Sequence, residues 1–157
     1  MKFGQRDRRD FLILPFALFY FYTIFANVLG WPLASHQRLF ASTNVSWLGA
    51  LLCLLGLAIF YWSVLSLGAS FRVGIDADEP APLVTSGAFS FSRNPIYVAF
   101  LFVLAGELLI FSNWVCLIYV FAAAWLIHWQ VSLEEDFLRR HCGAKYEAYC
   151  AKVRRYL

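Results

Sequence analysis

The sequence predicts an all-α, polytopic membrane protein with four transmembrane helices and a cytoplasmic C-terminal helix. Of its 157 residues, 61% are hydrophobic and only 15% are charged, whereas a soluble domain usually contains about 25% charged residues. Four long runs carry almost no charge, and about 20 apolar residues allow a helix to cross the hydrocarbon core. The length is that of a single domain, residues 1–157. No basic stripe with interleaved aromatics indicates a nucleic-acid partner.

The first two spans are predicted at residues 11–30 and 45–70. A short basic head precedes the first run, so a signal peptide is the competing interpretation. The run is longer and more aromatic than the apolar region of a typical signal peptide, which favours a transmembrane helix. Three small residues recur every seven positions along the second run: Gly49, Gly56 and Ser63. Such a stripe lets helices approach closely, and we interpret it as a packing surface.

The third and fourth spans are predicted at residues 95–112 and 114–133. They meet at a very short turn, which predicts an antiparallel hairpin. Pro95 at the first helical position favours a helix start there. The charged tail, residues 134–157, is predicted to continue as a helix that Gly143 breaks or bends.

The distribution of basic residues predicts the orientation. Of the 13 Lys and Arg residues, 12 lie in the head, in the central loop at residues 71–94 or in the tail. These three parts share one side of a protein with four spans, and the positive-inside rule assigns that side to the cytoplasm. We therefore expect both termini, and most of the polar surface, to lie on the cytoplasmic side.

Helical geometry predicts that the two most polar stretches lie at the same depth. Pro95 and Gln130 are nearly the same number of residues from the hairpin turn, about 26 Å at 1.5 Å per residue. Glu134 follows Gln130 by one turn and lies on the same face. We expect five residues to meet at this edge of the bilayer: Arg93, Asn94, Tyr97, Gln130 and Glu134. His128 lies at a similar depth, but it shares its face with Glu135.

The polar stretches also resemble a known signature. Leu83 to Phe89, followed by Arg93 to Tyr97, is similar to the LVTxGxY…RHPxY motif of isoprenylcysteine carboxyl methyltransferases. The same group includes bacterial membrane methyltransferases and phospholipid N-methyltransferases. Residues 134–149 resemble its EE…L…FGxxYxxY motif, and Val153 to Arg155 resembles its V-x-R ending. The resemblance implies a bacterial member of this family, located in the inner membrane.

The resemblance implies methyl transfer from S-adenosylmethionine to a membrane lipid or another lipophilic small molecule at the cytoplasmic face of the bilayer. Carried over by position, the cofactor-binding residues are Leu83, Val84, Phe89, Asn94, Pro95, Ile96, Tyr97 and Glu134, with weaker matches at Gly74, Ala81 and Pro82. The candidate catalytic residues are Arg93, Tyr97 and Glu135. Gln130 and His128 are the candidate substrate-binding residues, and no metal ligand set is expected.

Four positions depart from the family pattern, and the smallest change is Ala99 in place of a common Gly. Asn94 replaces the usual His, so the side chain at this position keeps its hydrogen bonding but does not titrate near neutral pH. Phe89 replaces a Tyr and lacks the hydroxyl. Gln130 replaces an Arg, which removes the cation that would bind a carboxylate substrate. These changes therefore affect the expected binding of a prenylcysteine substrate more than the expected binding of the cofactor.

Two other classes remain open from the sequence. One is a membrane reductase that uses NADPH, although the pair Glu134 and Glu135 would repel its 2′-phosphate. The other is a non-enzymatic lipid-binding or assembly protein, in which Arg93-Asn94-Pro95 is only a membrane anchor and helix start. Glu107 is an acid within a predicted span, and such residues are functional candidates. The oligomeric state is not specified by the sequence.

Overall fold

The computed structural model describes the chain in several ranges: residues 18, 20–22, 24–26, 28–31, 39–40, 42–68 and 83–157. Four α-helices follow one another in these ranges: α1 (Thr43–Leu67), α2 (Pro95–Phe111), α3 (Trp114–Cys142) and α4 (Ala144–Cys150). A short 3₁₀ helix, Gly87–Ser90, precedes α2, and the described residues between 18 and 28 are helical. The described part of the chain contains no β-strand, which agrees with the all-α prediction. The basic head, much of the first predicted span, the last two residues of the second predicted span and residues 71–82 of the central loop lie outside the described residues.

Two of the helices are long and apolar enough to cross a bilayer. They are α1, with 25 residues and a mean hydropathy of 2.2 in its most apolar stretch, and α3, with 29 residues and 1.6. The apolar helix α2 is shorter, with 17 residues, and spans about 26 Å at 1.5 Å per residue. The prediction of four spans therefore stays a prediction, since the first span is only partly described.

The helices α1 and α2 pack at unusually close range. The three small residues of the α1 stripe, Gly49, Gly56 and Ser63, are all buried. A Cβ atom added at Gly49 would lie 2.6 Å from the carbonyl oxygen of Gly106, and one at Gly56 would lie 2.8 Å from that of Ala99. Neither position has room for a larger side chain, so the stripe is the packing surface that the sequence predicts.

The helices α2 and α3 form the predicted hairpin. Ser112 ends α2 in the left-handed conformation, with φ at 49°, and its backbone N–H donates to Leu108. The Asn113 side chain accepts a hydrogen bond of 2.8 Å from the N–H of Cys116, which caps α3. Phe40 donates its backbone N–H to the Ser112 hydroxyl at 2.9 Å. This end of the hairpin is called the turn end, and the opposite end, where α2 begins, is called the polar end.

At the polar end α3 continues well past the predicted end of its span. It runs without a break to Cys142, because residues 134–142 contain no helix breaker. Gly143, with φ at 50°, ends α3 and begins the short helix α4, so the predicted break at Gly143 is confirmed. Residues 151–157 leave the helical conformation, whereas the sequence predicted a helix throughout the tail. They turn back toward the start of α2, where Arg93 donates its backbone N–H to the carbonyl of Arg154 at 2.9 Å.

Candidate active site

The polar end of the hairpin gathers most of the residues that the sequence singled out. Asn94 occupies the N-cap position of α2 without a side-chain cap hydrogen bond, and Pro95 is the first helical residue. The chain just before α2 lies beside α3 at Glu135. The expected five residues separate into two groups. Tyr97, Gln130 and Glu134 meet in one group, whereas Arg93 and Asn94 contact the neighbouring residue Glu135 instead.

The first group is organised around the Glu134 carboxylate. The Tyr97 hydroxyl donates to Glu134 Oε1 at 2.6 Å. The Gln130 side-chain amide donates to the same oxygen at 3.0 Å, one helical turn along α3. The second oxygen, Oε2, has no partner within the described part of the chain, and no basic side chain described there pairs with Glu134. The group therefore presents a fixed carboxylate with one oxygen open.

The second group surrounds Glu135, whose side chain is almost completely buried. Arg155 donates to Glu135 Oε2 from Nε at 3.0 Å and from Nη2 at 2.8 Å. Arg93 Nε lies 3.2 Å from Glu135 Oε1, within ion-pair distance but without hydrogen-bond alignment. Asn94 Nδ2 donates to Oε1 at 3.2 Å. We call these four residues the Glu135 clasp.

The C-terminal residues are part of the polar end. The backbone carbonyl of Arg155 accepts hydrogen bonds from Asn94 Nδ2 at 3.1 Å and from the Ser92 hydroxyl at 3.3 Å. The Tyr149 hydroxyl donates to the carbonyl of Phe89 at 2.6 Å. The sequence reasoning did not select Ser92, Tyr149 or Arg155 as site residues, although Arg155 belongs to the V-x-R ending that had been noted.

His128 lies on the face of α3 that carries Glu135, as helical geometry predicts. Its Nδ1 atom is 3.0 Å from the hydroxyl of Tyr156, and the side chain is exposed. Val131, between His128 and Glu135 on this face, is completely buried. His128 therefore contacts Tyr156 and not the group around Glu134.

The remaining motif residues lie along the approach to α2. Leu83 and Val84 are half-buried in the irregular segment before the 3₁₀ helix, which contains Phe89. Pro95 is buried in the first turn of α2 and Ile96 is half-buried there. The weaker matches Gly74, Ala81 and Pro82 fall outside the described residues.

Two tyrosines near the clasp keep neutral side chains at physiological pH. Burial raises the pKa of Tyr149 to about 12, although the nearby Arg93 acts in the opposite direction. Burial, together with the negative charge of Glu135, raises the pKa of Tyr146 above its ordinary value. Neither phenol adds negative charge to the polar end.

Glu107, the acid within a span, lies closer to the turn end. It accepts a hydrogen bond from the Tyr20 hydroxyl, and the Tyr20 ring stacks on Tyr119 with the ring centroids 5.6 Å apart. Since Tyr20 belongs to the N-terminal helical residues, Glu107 joins this part of the chain to the hairpin. Its observed contacts are with other elements of the fold, away from the polar end.

The fold and the site define a helical membrane protein in which, among the described residues, the Glu134 carboxylate at one end of a tight hairpin has one unpaired oxygen. The family model described as phospholipid methyltransferase matches residues 44–145. This match covers most of the chain, and the chain belongs to the phospholipid methyltransferase family.

Individual proteins of this group are also similar. A probable protein-S-isoprenylcysteine O-methyltransferase of Oryza sativa subsp. indica is 29% identical over 112 residues, covering 69% of this chain and 59% of the relative. The protein-S-isoprenylcysteine O-methyltransferase of Xenopus laevis is 30% identical over 116 residues, covering 70% of this chain and 40% of the relative. The chain thus spans roughly half the length of these relatives.

A solved structure shows the same fold. The eukaryotic intramembrane Ras methyltransferase, an isoprenylcysteine carboxyl methyltransferase, matches with a TM-score of 0.69 at 21% identity, covering 96% of this chain and 52% of that chain. At this identity the likeness concerns the fold alone. The family assignment from the sequence motif is therefore confirmed by the family model, and the membrane fold by the solved structure.

Proposed function

We propose that this chain is an S-adenosylmethionine-dependent methyltransferase that acts on a lipophilic acceptor at the membrane boundary. The observation that carries the proposal is the Glu134 carboxylate, which has one open oxygen and no basic partner in the described part of the chain. A carboxylate in this state attracts a cationic ligand, and the methyl donor carries both a sulfonium and an ammonium group.

The residues around Glu134 fit such a ligand. Tyr97 and Gln130 both donate to Oε1, so they fix the carboxylate and direct Oε2 to an external donor. Oε2 is an acceptor of the kind that ammonium and ribose hydroxyl groups require, and hydrogen bonds to a charged acceptor are the stronger ones. We assign Glu134 to cofactor binding and Tyr97 to holding its carboxylate in place.

The chemistry demands little acid–base catalysis from the protein. When bound, S-adenosylmethionine would supply an electrophilic methyl group: its C–S bond would break with the electron pair going to sulfur as the acceptor lone pair forms the new bond, and an amine or hydroxyl acceptor would release its displaced proton to the solvent at the membrane boundary. The residues of the chain must hold donor and acceptor at near-attack distance and exclude water. We assign Arg93 and Glu135 to holding the site in this geometry. Both oxygens of Glu135 already accept hydrogen bonds within the clasp, one from Asn94 and one from Arg155.

The charge of the site favours one class of acceptor. Gln130 is neutral, and its amide already donates to Glu134. Since no basic side chain of the described residues pairs with Glu134, a carboxylate acceptor would meet repulsion there, whereas a neutral or amine headgroup would not. The proposed acceptor is therefore a lipid amine or a neutral lipid, which fits the description of the matched family better than that of the prenylcysteine relatives.

A transfer assay tests the proposal directly. Membranes that contain the chain are incubated with S-adenosylmethionine labelled in its methyl group, and the lipids are then extracted and separated. We expect labelled lipid with the wild type and with Asp136→Asn, whose carboxylate is exposed and pairs with Arg139. Glu134→Gln should lose the labelled product. Label that appears equally in all three samples and in membranes without the chain would contradict the proposal.

A further inference from the structure

The last residues of the chain are attached to both helices of the hairpin at the polar end. Residues 153–157, called the C-terminal segment, contact α3 at two points: Arg155 at Glu135 and Tyr156 at His128. These two positions of α3 are seven residues apart on one face, with the buried Val131 between them. The segment thus runs along α3 and covers this face.

The same segment contacts the chain just before α2. Arg154 and Arg155 accept hydrogen bonds through their backbone carbonyls from the residues that lead into the helix: Ser92, Arg93 and Asn94. The Ser92 hydroxyl also accepts from the backbone N–H of Asn94 at 3.1 Å. The turn that begins α2 is therefore formed against the C-terminal segment.

The attachment of the C-terminal segment depends on the ion pair between Glu135 and one particular arginine, Arg155. The Glu135 side chain is only 2% exposed, and a buried carboxylate is costly unless it is paired and hydrogen-bonded. Arg155 supplies the two shortest contacts, at 2.8 and 3.0 Å. By contrast, the Arg154 side chain is exposed and makes no hydrogen bond or ion pair among the described residues.

We propose that Arg155 is a positioning residue for methyl transfer: by pairing with Glu135 it holds the C-terminal segment against the start of α2, which places the Tyr97 hydroxyl on Glu134. The proposal rests on the function proposed above. Tyr97 lies in the first turn of α2, three residues after Asn94, so a displaced start of α2 moves its hydroxyl. Arg155 touches neither reactant and acts through the turn.

The matched variants are Arg155→Gln, Arg155→Lys and the control Arg154→Gln, which removes the same charge from the neighbouring position. Hydrogen exchange of the backbone amides of residues 92–94 reports whether the turn is held. We expect exchange to increase about tenfold in Arg155→Gln, as expected for loss of a charged hydrogen bond. Arg155→Lys should recover part of the protection, and Arg154→Gln should match the wild type.

Kinetics on the same purified proteins separate positioning from stability. We expect kcat to fall about tenfold in Arg155→Gln, with a smaller change in KM for the acceptor and partial rescue by lysine. Exchange that is the same in Arg155→Gln and Arg154→Gln overturns the clasp. Increased exchange with unchanged kcat overturns the positioning role, since the turn is then released without a catalytic effect.

The two proposals fail in different ways. If the wild-type protein neither binds S-adenosylmethionine nor transfers a methyl group, the proposed function fails and the positioning role fails with it. In that case the exchange measurement still decides whether Arg155 holds the turn before α2. If the wild type is active and the three variants have equal kcat, only the positioning role is rejected.

Discussion

Replacing Glu135 with Gln should destabilise the polar end, because two guanidinium groups would then face a neutral side chain. The side chain of Arg93 is 12% exposed and that of Glu135 2%. Removing one partner of a buried ion pair typically costs ~3–5 kcal/mol, since the other charge stays buried. The side chain of Arg155 is 36% exposed and has room to turn toward water. We therefore expect a smaller loss, about 2–3 kcal/mol, of the free energy of unfolding.

The assay for this prediction is equilibrium unfolding of the purified protein in detergent micelles. Asp136→Asn is the matched control, because it removes a neighbouring carboxylate whose side chain is 61% exposed; its effect should stay within about 0.5 kcal/mol. The double variant Glu135→Gln/Arg155→Gln should lose less than the sum of the two single losses, since both remove the same pair. A loss for Glu135→Gln no larger than that of the control would refute the reasoning.

Three further predictions concern the contact between α1 and α2, the stability of the protein at high pH and the binding of S-adenosylmethionine. Gly106→Val should lower the melting temperature, because a Cβ atom there would lie 2.5 Å from the Gly49 carbonyl oxygen, and such overpacking costs ~1–3 kcal/mol; an unchanged melting temperature would contradict the close packing. Tyr149→Phe should cost about 1 kcal/mol near neutral pH, through its lost hydrogen bond to Phe89. The folded protein holds the Tyr149 proton up to a pKa of about 12, against 10.0 for the ordinary group, so the wild type should lose stability between these pH values and the variant should lose less. Tyr97→Phe should weaken S-adenosylmethionine binding about fivefold, because it removes the hydroxyl that holds the Glu134 carboxylate in place; calorimetry that gives the wild-type affinity would contradict the role of Tyr97.

The sequence was sufficient to predict that Tyr97, Gln130 and Glu134 meet, because their positions depend on local helical geometry alone. A very short turn between two helices fixes their register, so residues equally far from the turn lie side by side. One helical turn then places Glu134 above Gln130 on the same face. The contacts of Tyr97, Gln130 and Glu134 follow from these two facts.

The sequence did not predict which partners each of the two adjacent carboxylates, Glu134 and Glu135, would contact. Consecutive residues of a helix point about 100° apart, so Glu134 and Glu135 serve different surroundings. Which of them pairs with Arg93 depends on where the last residues of the chain return. That return follows the break at Gly143 and the non-helical end of the tail, and Arg155 reaches Glu135 only after it. Periodicity does not specify such a long-range contact.

The contact made by the small-residue stripe of α1 was only partly predictable from the sequence. The spacing of Gly49 and Gly56 indicated a close helix contact, but it did not identify the partner. In the structure the partner is α2, whose carbonyl groups at Ala99 and Gly106 lie where a larger side chain would be placed. The composition of α2 alone does not reveal this, because its apolar residues are spread evenly around the helix.

The central claim is that the open oxygen of Glu134 binds the cationic methyl donor. The most direct test is isothermal titration of S-adenosylmethionine into the purified protein, for the wild type, Glu134→Gln and the control Asp136→Asn. We expect the wild type and the control to bind alike and Glu134→Gln to bind at least tenfold more weakly, since a hydrogen bond to a charged group contributes ~1.5–3 kcal/mol. Equal affinity of all three proteins, or no binding by a well-folded wild type, would contradict the claim.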